Sequence, residues 1–191
     1  MQRSVFVTAL LILVAPLAWP QASTWVPDKA HSAVEFSILH MSVSNVHGRF
    51  GNVSGSIVLN DADIAKSNVN VTIDVSTVDT GEGSRDSELK GAKFFDVAQF
   101  PAATFVSTGV ARTASGLAVT GNLTLHGVTK PVELAVEGPT GPVTGMDQKP
   151  HAGYSATATI SRSAFGVGTK FPSAIVGDQV KLNIDLEVVK Q

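Results

Sequence analysis

The stretch GNLTLHGVTKPVEL, Gly121 to Leu134, decides the fold. Leu117, Val119, Leu123 and Leu125 precede its centre at spacing two. Val128, Val132, Leu134 and Val136 follow it at even spacing. Successive side chains of a strand point to opposite faces, so each run presents one apolar and one polar face. His126-Gly127 lies between the runs, and glycine permits the positive φ that a tight hairpin turn often needs. The stretch therefore reads as an antiparallel hairpin with one face in an apolar interior.

The same alternation recurs along the chain. Val34, Phe36 and Ile38 share a face, as do Val53, Gly55, Ile57 and Leu59. Val69, Val71, Ile73 and Val75 form another set, and Thr104 to Val110 is a weaker strand. Ala156, Ala158 and Ile160 alternate with polar residues, as do Val180, Leu182, Ile184, Leu186 and Val188. About eight such strands, punctuated by turns, predict an all-β sandwich or barrel. One segment departs from the pattern. Ser84 is placed to cap a short helix running to Lys90, with Gly91 to end it and Leu89 as its anchor. Phe94 to Pro101 reads as an irregular aromatic connection. Gly138 to Pro150 is rich in glycine and proline and reads as a loop.

Residues 1–22 fit a secretory signal. Arg3 gives the positive start, Val5 to Ala15 is apolar except for Thr8, and Ala22 offers a small residue for cleavage. The apolar run is shorter than the ~20 residues a membrane span requires. The expectation is export to the periplasm or the medium, leaving one domain over 23–191. There is no cysteine, so neither disulfides nor a thioether lipid anchor can contribute. The formal charge is −2 and no basic run occurs, which argues against nucleic acid as a partner.

An eight-stranded barrel is either filled by side chains or holds one small ligand. Gly55, Gly121, Ala156 and Ala158 are small residues on the inferred inner face. They fit a hollow lumen and equally fit relief of crowding where strands coil. Phe94, Phe95, Phe100, Phe165 and Phe171 stand in connections, where they line a pocket mouth or plug the barrel end.

Catalytic and metal patterns were sought. His31, His40, His47, His126 and His151 make no HxH, HxxxH or HExxH spacing and are scattered over different elements. His40 shares parity with Phe36 and Ile38, so it is expected to point inward, as a hydrogen-bonded core residue before a ligand. No GxSxG elbow and no phosphate-binding glycine loop occur. Asp86 and Glu88 near Arg85 read as local ion-pair partners on a short helix. No enzyme, metal or cofactor is expected.

Six segments together resemble the YceI-like family of exported bacterial proteins. They are HSAVEFSILHM (His31–Met41), HGRFGNVSGSI (His47–Ile57), STVDTG (Ser76–Gly81), SRDSELKGAKFFDVAQFPAATF (Ser84–Phe105), GNLTLHGVTKPVEL (Gly121–Leu134) and ISRSAFGVG (Ile160–Gly168). The resemblance implies an eight-stranded antiparallel, lipocalin-like barrel with one helix at its side. It implies a lumen for a polyisoprenoid, an isoprenoid quinone or a fatty acyl lipid, with no established reaction. Ala164 departs from the family pattern, which usually has Asp between Ser163 and Phe165.

The expected ligand contacts are Val34, Phe36, Ile38, Val71, Ile73, Leu123 and Leu125 by strand parity. Phe95, Phe105 and Phe165 join them from the family's motif segments. The expected partner is a hydrophobic lipid or isoprenoid, bound by a monomer or dimer that does not span the membrane. A filled barrel acting as a stress or interaction protein, or an enzyme on a hydrophobic substrate, stands as the alternative.

Overall fold

In a computed structural model, which describes residues 22–191, the alternating segments become ten strands of one antiparallel sheet. They are β1 (Ser23–Pro27), β2 (Ala33–His40), β3 (Ser44–Phe50), β4 (Ser54–Leu59) and β5 (Asn68–Asp74). These are followed by β6 (Ala102–Arg112), β7 (Leu117–Leu125), β8 (Val128–Thr144), β9 (Pro150–Ser161) and β10 (Val176–Lys190). The expected secretory signal lies outside the described residues, save for Ala22.

Closure comes from two broken strands. β10 pairs with β2 from Val176↔His40 to Asp185↔Ala33, then with β1 from Val188↔Pro27 to Lys190↔Trp25. β1 and β2 thus occupy one position in the wall, interrupted at Asp28–Ser32. β3 and β4 share the next position in the same way, β3 against β2 and β4 against β1. β5 to β10 then follow in chain order, and the sheet closes as an eight-stranded antiparallel barrel. Closure leaves no row of unpaired backbone groups along the barrel's lower half.

The hairpin at the centre of the reading is present. β7 pairs with β8 from Leu117↔Val136 to Leu125↔Val128. Both turn residues are left-handed, His126 at φ 51° and Gly127 at φ 73°, the geometry of a two-residue turn that matches strand twist.

Three expectations need correction. Gly138–Pro150 is not a loop: β8 runs to Thr144 and β9 begins at Pro150. Gly138 and Gly141, at φ 113° and 100°, let the strand bulge and resume pairing, with register shifts between Glu137 and Val143. The helix α1 spans Gly83–Lys90, but its cap is Glu82, whose carboxylate accepts from the Ser84 and Arg85 amides. Ser84 instead donates its hydroxyl to the same carboxylate. β1 and β3 escaped the reading, because STWVP is very short and SNVHGRF carries Gly48 where an apolar side chain would mark the inner face.

The small inner positions divide. At Gly55, φ 127°, a Cβ would lie 2.1 Å from the Asn70 carbonyl oxygen, so the glycine serves close approach of β4 to β5. At Gly121 a Cβ would lie 2.4 Å from Cζ of Phe105, whose ring already occupies that space. Neither glycine leaves lumen volume. Ala156 does line the interior, whereas Ala158 borders neither of the chambers described below.

Side chains close the two barrel ends. At the lower end Trp25, Ile57, Ala152 and Val188 form a buried cluster. At the upper end Phe94, Ile160, Phe165 and Val167 pack together. Phe165 and Val188, at 2% and 0% exposure, each contribute about 1.5–3 kcal/mol by burial. Between the ends the barrel is hollow.

Candidate functional site: an apolar two-chamber lumen

Inward side chains of β2 to β10 surround two adjacent apolar cavities. The upper chamber has a volume of about 300 Å³ and the lower one about 130 Å³. Val34, Ile73, Leu123 and Leu182 border both and form a waist. An apolar cavity of about 150 Å³ is large enough to take up benzene, so the upper chamber is roomy for a hydrocarbon.

The upper chamber owes its shape to the missing half of the β3 pairing. On the side away from β2, β3 has one bridge, Arg49↔Asp79. The chain from Val75 to Pro101 fills that place, so Val75, Leu89, Phe94 and Phe95 enter the chamber wall. The Phe95 amide donates to the Leu89 carbonyl and the Val97 amide to that of Lys90, folding the aromatic connection back on the helix end. Phe36, Phe50 and Phe95 form a chain of edge and tilted contacts with successive centroids 5.4 Å apart. Phe94 stacks on Phe171 at 5.0 Å. Leu39 and Ile175 line the chamber while each is more than 40% exposed, so the wall continues to the molecular surface there.

Nine of the ten residues selected from the sequence border the lumen. Phe36, Ile38, Phe95 and Leu125 line the upper chamber, Val71 and Phe105 the lower, and Val34, Ile73 and Leu123 both. Phe165 does not border it. It packs behind Ile160 and Val167, which do line the upper chamber, because its turn, Ser163–Phe165, lies outside them.

Four side chains with polar or charged groups reach the upper chamber: His40, Arg85, Glu88 and Arg162. His40 faces it, as parity predicted, yet remains exposed. Arg162 was missed, since a lone arginine after a strand carries no pattern. It is 5% exposed, and all five of its N–H groups donate to carbonyls. Nε reaches Gly177 at 2.9 Å, Nη1 reaches Val167 and Gly168 at 3.0 and 2.6 Å, and Nη2 reaches Phe171 and Val176 at 2.8 and 2.7 Å. This planar fork fixes the Val167–Gly177 segment as the chamber rim. Asp178 brings a carboxylate to the turn where Ala164 stands, accepting from the Ser161 hydroxyl at 2.6 Å and the Ser163 amide at 3.1 Å. The Ser161 hydrogen bond, then that of Ser163, holds the Asp178 carboxyl below the usual range.

The lower chamber is closed by Ser67, Asn68 and Tyr154. The Tyr154 hydroxyl is buried and has no hydrogen-bond partner among the described residues. Burial pushes its pKa up to about 12.

The five histidines lie on different elements, as expected, but two of them, His31 and His151, meet one carboxylate, Glu187. On the outer face, His151 Nδ1 lies 2.7 Å from Glu187 and Nε2 2.9 Å from Asp147. His31 Nδ1 lies 3.3 Å from Asp28 and 3.8 Å from the second oxygen of Glu187. Asp28, His31 and Glu187 offer donor atoms within 4.8 Å of one another, the one grouping among the described residues with the composition to hold a metal ion. The hydrogen bond to Asp147, then that to Glu187, raises the pKa of His151. Among the described residues no serine hydroxyl is hydrogen-bonded to a histidine. No helix among them is long and apolar enough to cross a membrane.

A closed eight-stranded antiparallel barrel, hollow and apolar, with one helix set into its wall, defines a lipocalin-like protein. Within that class the chain belongs to the YceI-like domain family, whose profile matches residues 25–188. It is 38% identical over 164 residues to a UPF0312 protein of Yersinia pestis, covering 84% of this chain and 82% of that protein. The crystal structure of BcnA from Burkholderia cenocepacia superposes with a TM-score of 0.73 at 29% identity, covering 84% of this chain and 98% of BcnA. A polyisoprenoid binding domain from Saccharophagus degradans shares the fold, with a TM-score of 0.65 at 15% identity, covering 90% and 100%.

Proposed function

We propose that this protein is a periplasmic or secreted carrier that holds one long apolar chain in its lumen: a polyisoprenoid, an isoprenoid quinone or a fatty acyl lipid. The observation that carries this reading is the pair of adjacent apolar chambers, walled by inward strand residues and, in the upper one, by Leu89, Phe94 and Phe95 as well. Each methylene transferred from water into such a lumen contributes about 0.8 kcal/mol, so a long tail binds with few polar contacts. Val34, Phe36, Ile38, Val71, Ile73, Phe95, Phe105, Leu123 and Leu125 contact the chain directly, and Phe165 supports the wall from behind. The name of the Saccharophagus degradans domain supports the polyisoprenoid alternative. The signal-like residues 1–22 support export. The protein's role is binding and transport, without catalysis.

Native mass spectrometry after detergent-free purification tests the reading. The expected spectrum contains a species heavier by one lipid, and organic extraction removes it. A spectrum of bare protein, with no uptake of added farnesol or hexadecanoic acid, overturns the reading in favour of a barrel without a ligand. Osmotic-shock fractionation checks the compartment, and recovery with cytoplasmic markers would refute export.

A further inference from the structure

The upper chamber is apolar except at the few polar groups of its wall, and these are not equivalent. Arg162 has no hydrogen left to give, since five carbonyls take all of them. Arg85 differs. Its Nε donates to the Thr80 hydroxyl at 2.8 Å and its Nη2 to the Thr80 carbonyl at 2.9 Å. Among the described residues Nη1 donates to no protein group. These two bonds hold the guanidinium by one edge and leave the other free, half-buried in the chamber wall.

Among the described residues no carboxylate forms a contact ion pair with this charge, although three stand close in sequence and Glu82 feels it through space. Glu82 accepts from the amides of Ser84 and Arg85 and from the Ser84 hydroxyl. Asp86 accepts from the Thr80 amide at 2.9 Å and from its hydroxyl. Glu88 pairs with Lys93 at 3.6 Å. The expected local ion pair forms between Glu88 and Lys93, and none includes Arg85. A cation held in place, partly desolvated and without a contact ion pair, is a receptor for an anionic oxygen group.

We infer that Arg85 receives the headgroup of the bound chain, and that this headgroup is a carboxylate or a phosphate. The inference rests on the carrier reading, since it concerns the polar end of a chain whose tail fills the lumen. The tail supplies affinity, and Arg85 supplies preference between chains of equal length.

Paired ligands that differ only at the head provide the test. Delipidated protein is titrated with hexadecanoic acid and methyl hexadecanoate, and with farnesyl phosphate and farnesol. Wild type is expected to bind one or both anions at least tenfold more tightly than the neutral partner. Arg85→Met brings each pair to within about threefold, with the greater loss of affinity falling on the anion. Arg85→Lys retains part of the preference, since charge persists without the planar fork. Circular dichroism and melting confirm that each variant is folded, and Arg85→Gln replaces Arg85→Met if the latter is not. The pair that discriminates identifies the headgroup. Equal binding of anion and neutral partner by wild type, or unchanged discrimination in Arg85→Met, overturns the headgroup assignment alone. Failure of all four ligands to bind overturns the carrier reading, and this inference with it.

Discussion

The ring of Phe36 rests on Gly48, its cross-strand partner, so closely that a Cβ at position 48 would lie 2.4 Å from Cζ and 2.7 Å from Cε1. Thr80 Cγ2 would lie 2.8 Å from the same atom. Gly48 has an ordinary backbone conformation, so space and not φ demands the glycine. Its role is to let an aromatic ring lie flat along the wall of the upper chamber.

Gly48→Ala should therefore displace Phe36, either into the chamber or against Phe50. The expected destabilisation is about 1–3 kcal/mol, as for other overpacked sites. Urea unfolding measures it, and an unchanged midpoint would show that the ring moves freely.

Ala156 borders the lower chamber, where an added side chain meets empty space. Ala156→Leu should change stability by less than about 1.5 kcal/mol while filling much of that chamber. Among fatty acids of graded length, binding should shift toward shorter tails. A variant that binds all lengths as wild type does would place the tail in the upper chamber alone.

Among the described residues no protein group hydrogen-bonds the buried Tyr154 hydroxyl. Tyr154→Phe should stabilise the delipidated protein by about 1 kcal/mol, at the low end of the penalty for a buried unsatisfied group. A lower melting temperature would mean that a bound water or ligand oxygen satisfies the hydroxyl.

Arg162 holds five carbonyls of the chamber rim, and its removal takes a donor from each, although Gly168 still accepts from the Phe171 amide. Arg162→Met should cost at least about 3 kcal/mol. Arg162→Lys should recover little, because an ammonium has three donors and no planar fork. Thermal melting of the two variants decides, and a Lys variant close to wild type would show that charge alone is needed.

Asp178 titrates below the usual carboxylate range because it accepts hydrogen bonds from Ser161 and Ser163 in the folded state. Its unfolded-state pKa is about 3.9, so the folded form is favoured above that pH. That contribution is lost as pH falls through the lowered folded pKa. Melting temperature should thus drop more steeply below about pH 4 in wild type than in Asp178→Asn. Parallel acid limbs would contradict the assignment.

The sequence by itself determined eight of the ten strands, all but β1 and β3, and the orientation of most of their side chains. The reason is local: with a side-chain period of two, one apolar face declares itself within a few residues, as in Leu117–Leu125 and Val180–Val188. That parity placed Val34, Phe36, Ile38, Val71, Ile73, Leu123 and Leu125 around the lumen. The hairpin at His126-Gly127 and the short helix before Gly91 were legible for the same reason, since turns and caps have local chemistry. Glu82 taking the cap from Ser84 was not, because two adjacent acceptors compete and only their geometry selects one.

Only the tertiary structure decided what the small inner residues do. Gly55 and Gly121 look alike in sequence, yet one accommodates a neighbouring backbone and the other the Phe105 ring. The continuation of β8 past Gly138 was hidden as well, because two bulges interrupt the alternation without ending the pairing. Phe165 carried the same motif signal as Phe95, but one packs behind the wall and the other forms it. Arg85 and Arg162 differ by their partners alone: five carbonyls from a distant segment saturate one, and a single threonine holds the other by half. Such distinctions depend on which groups meet across the barrel, and no spacing along the chain encodes that.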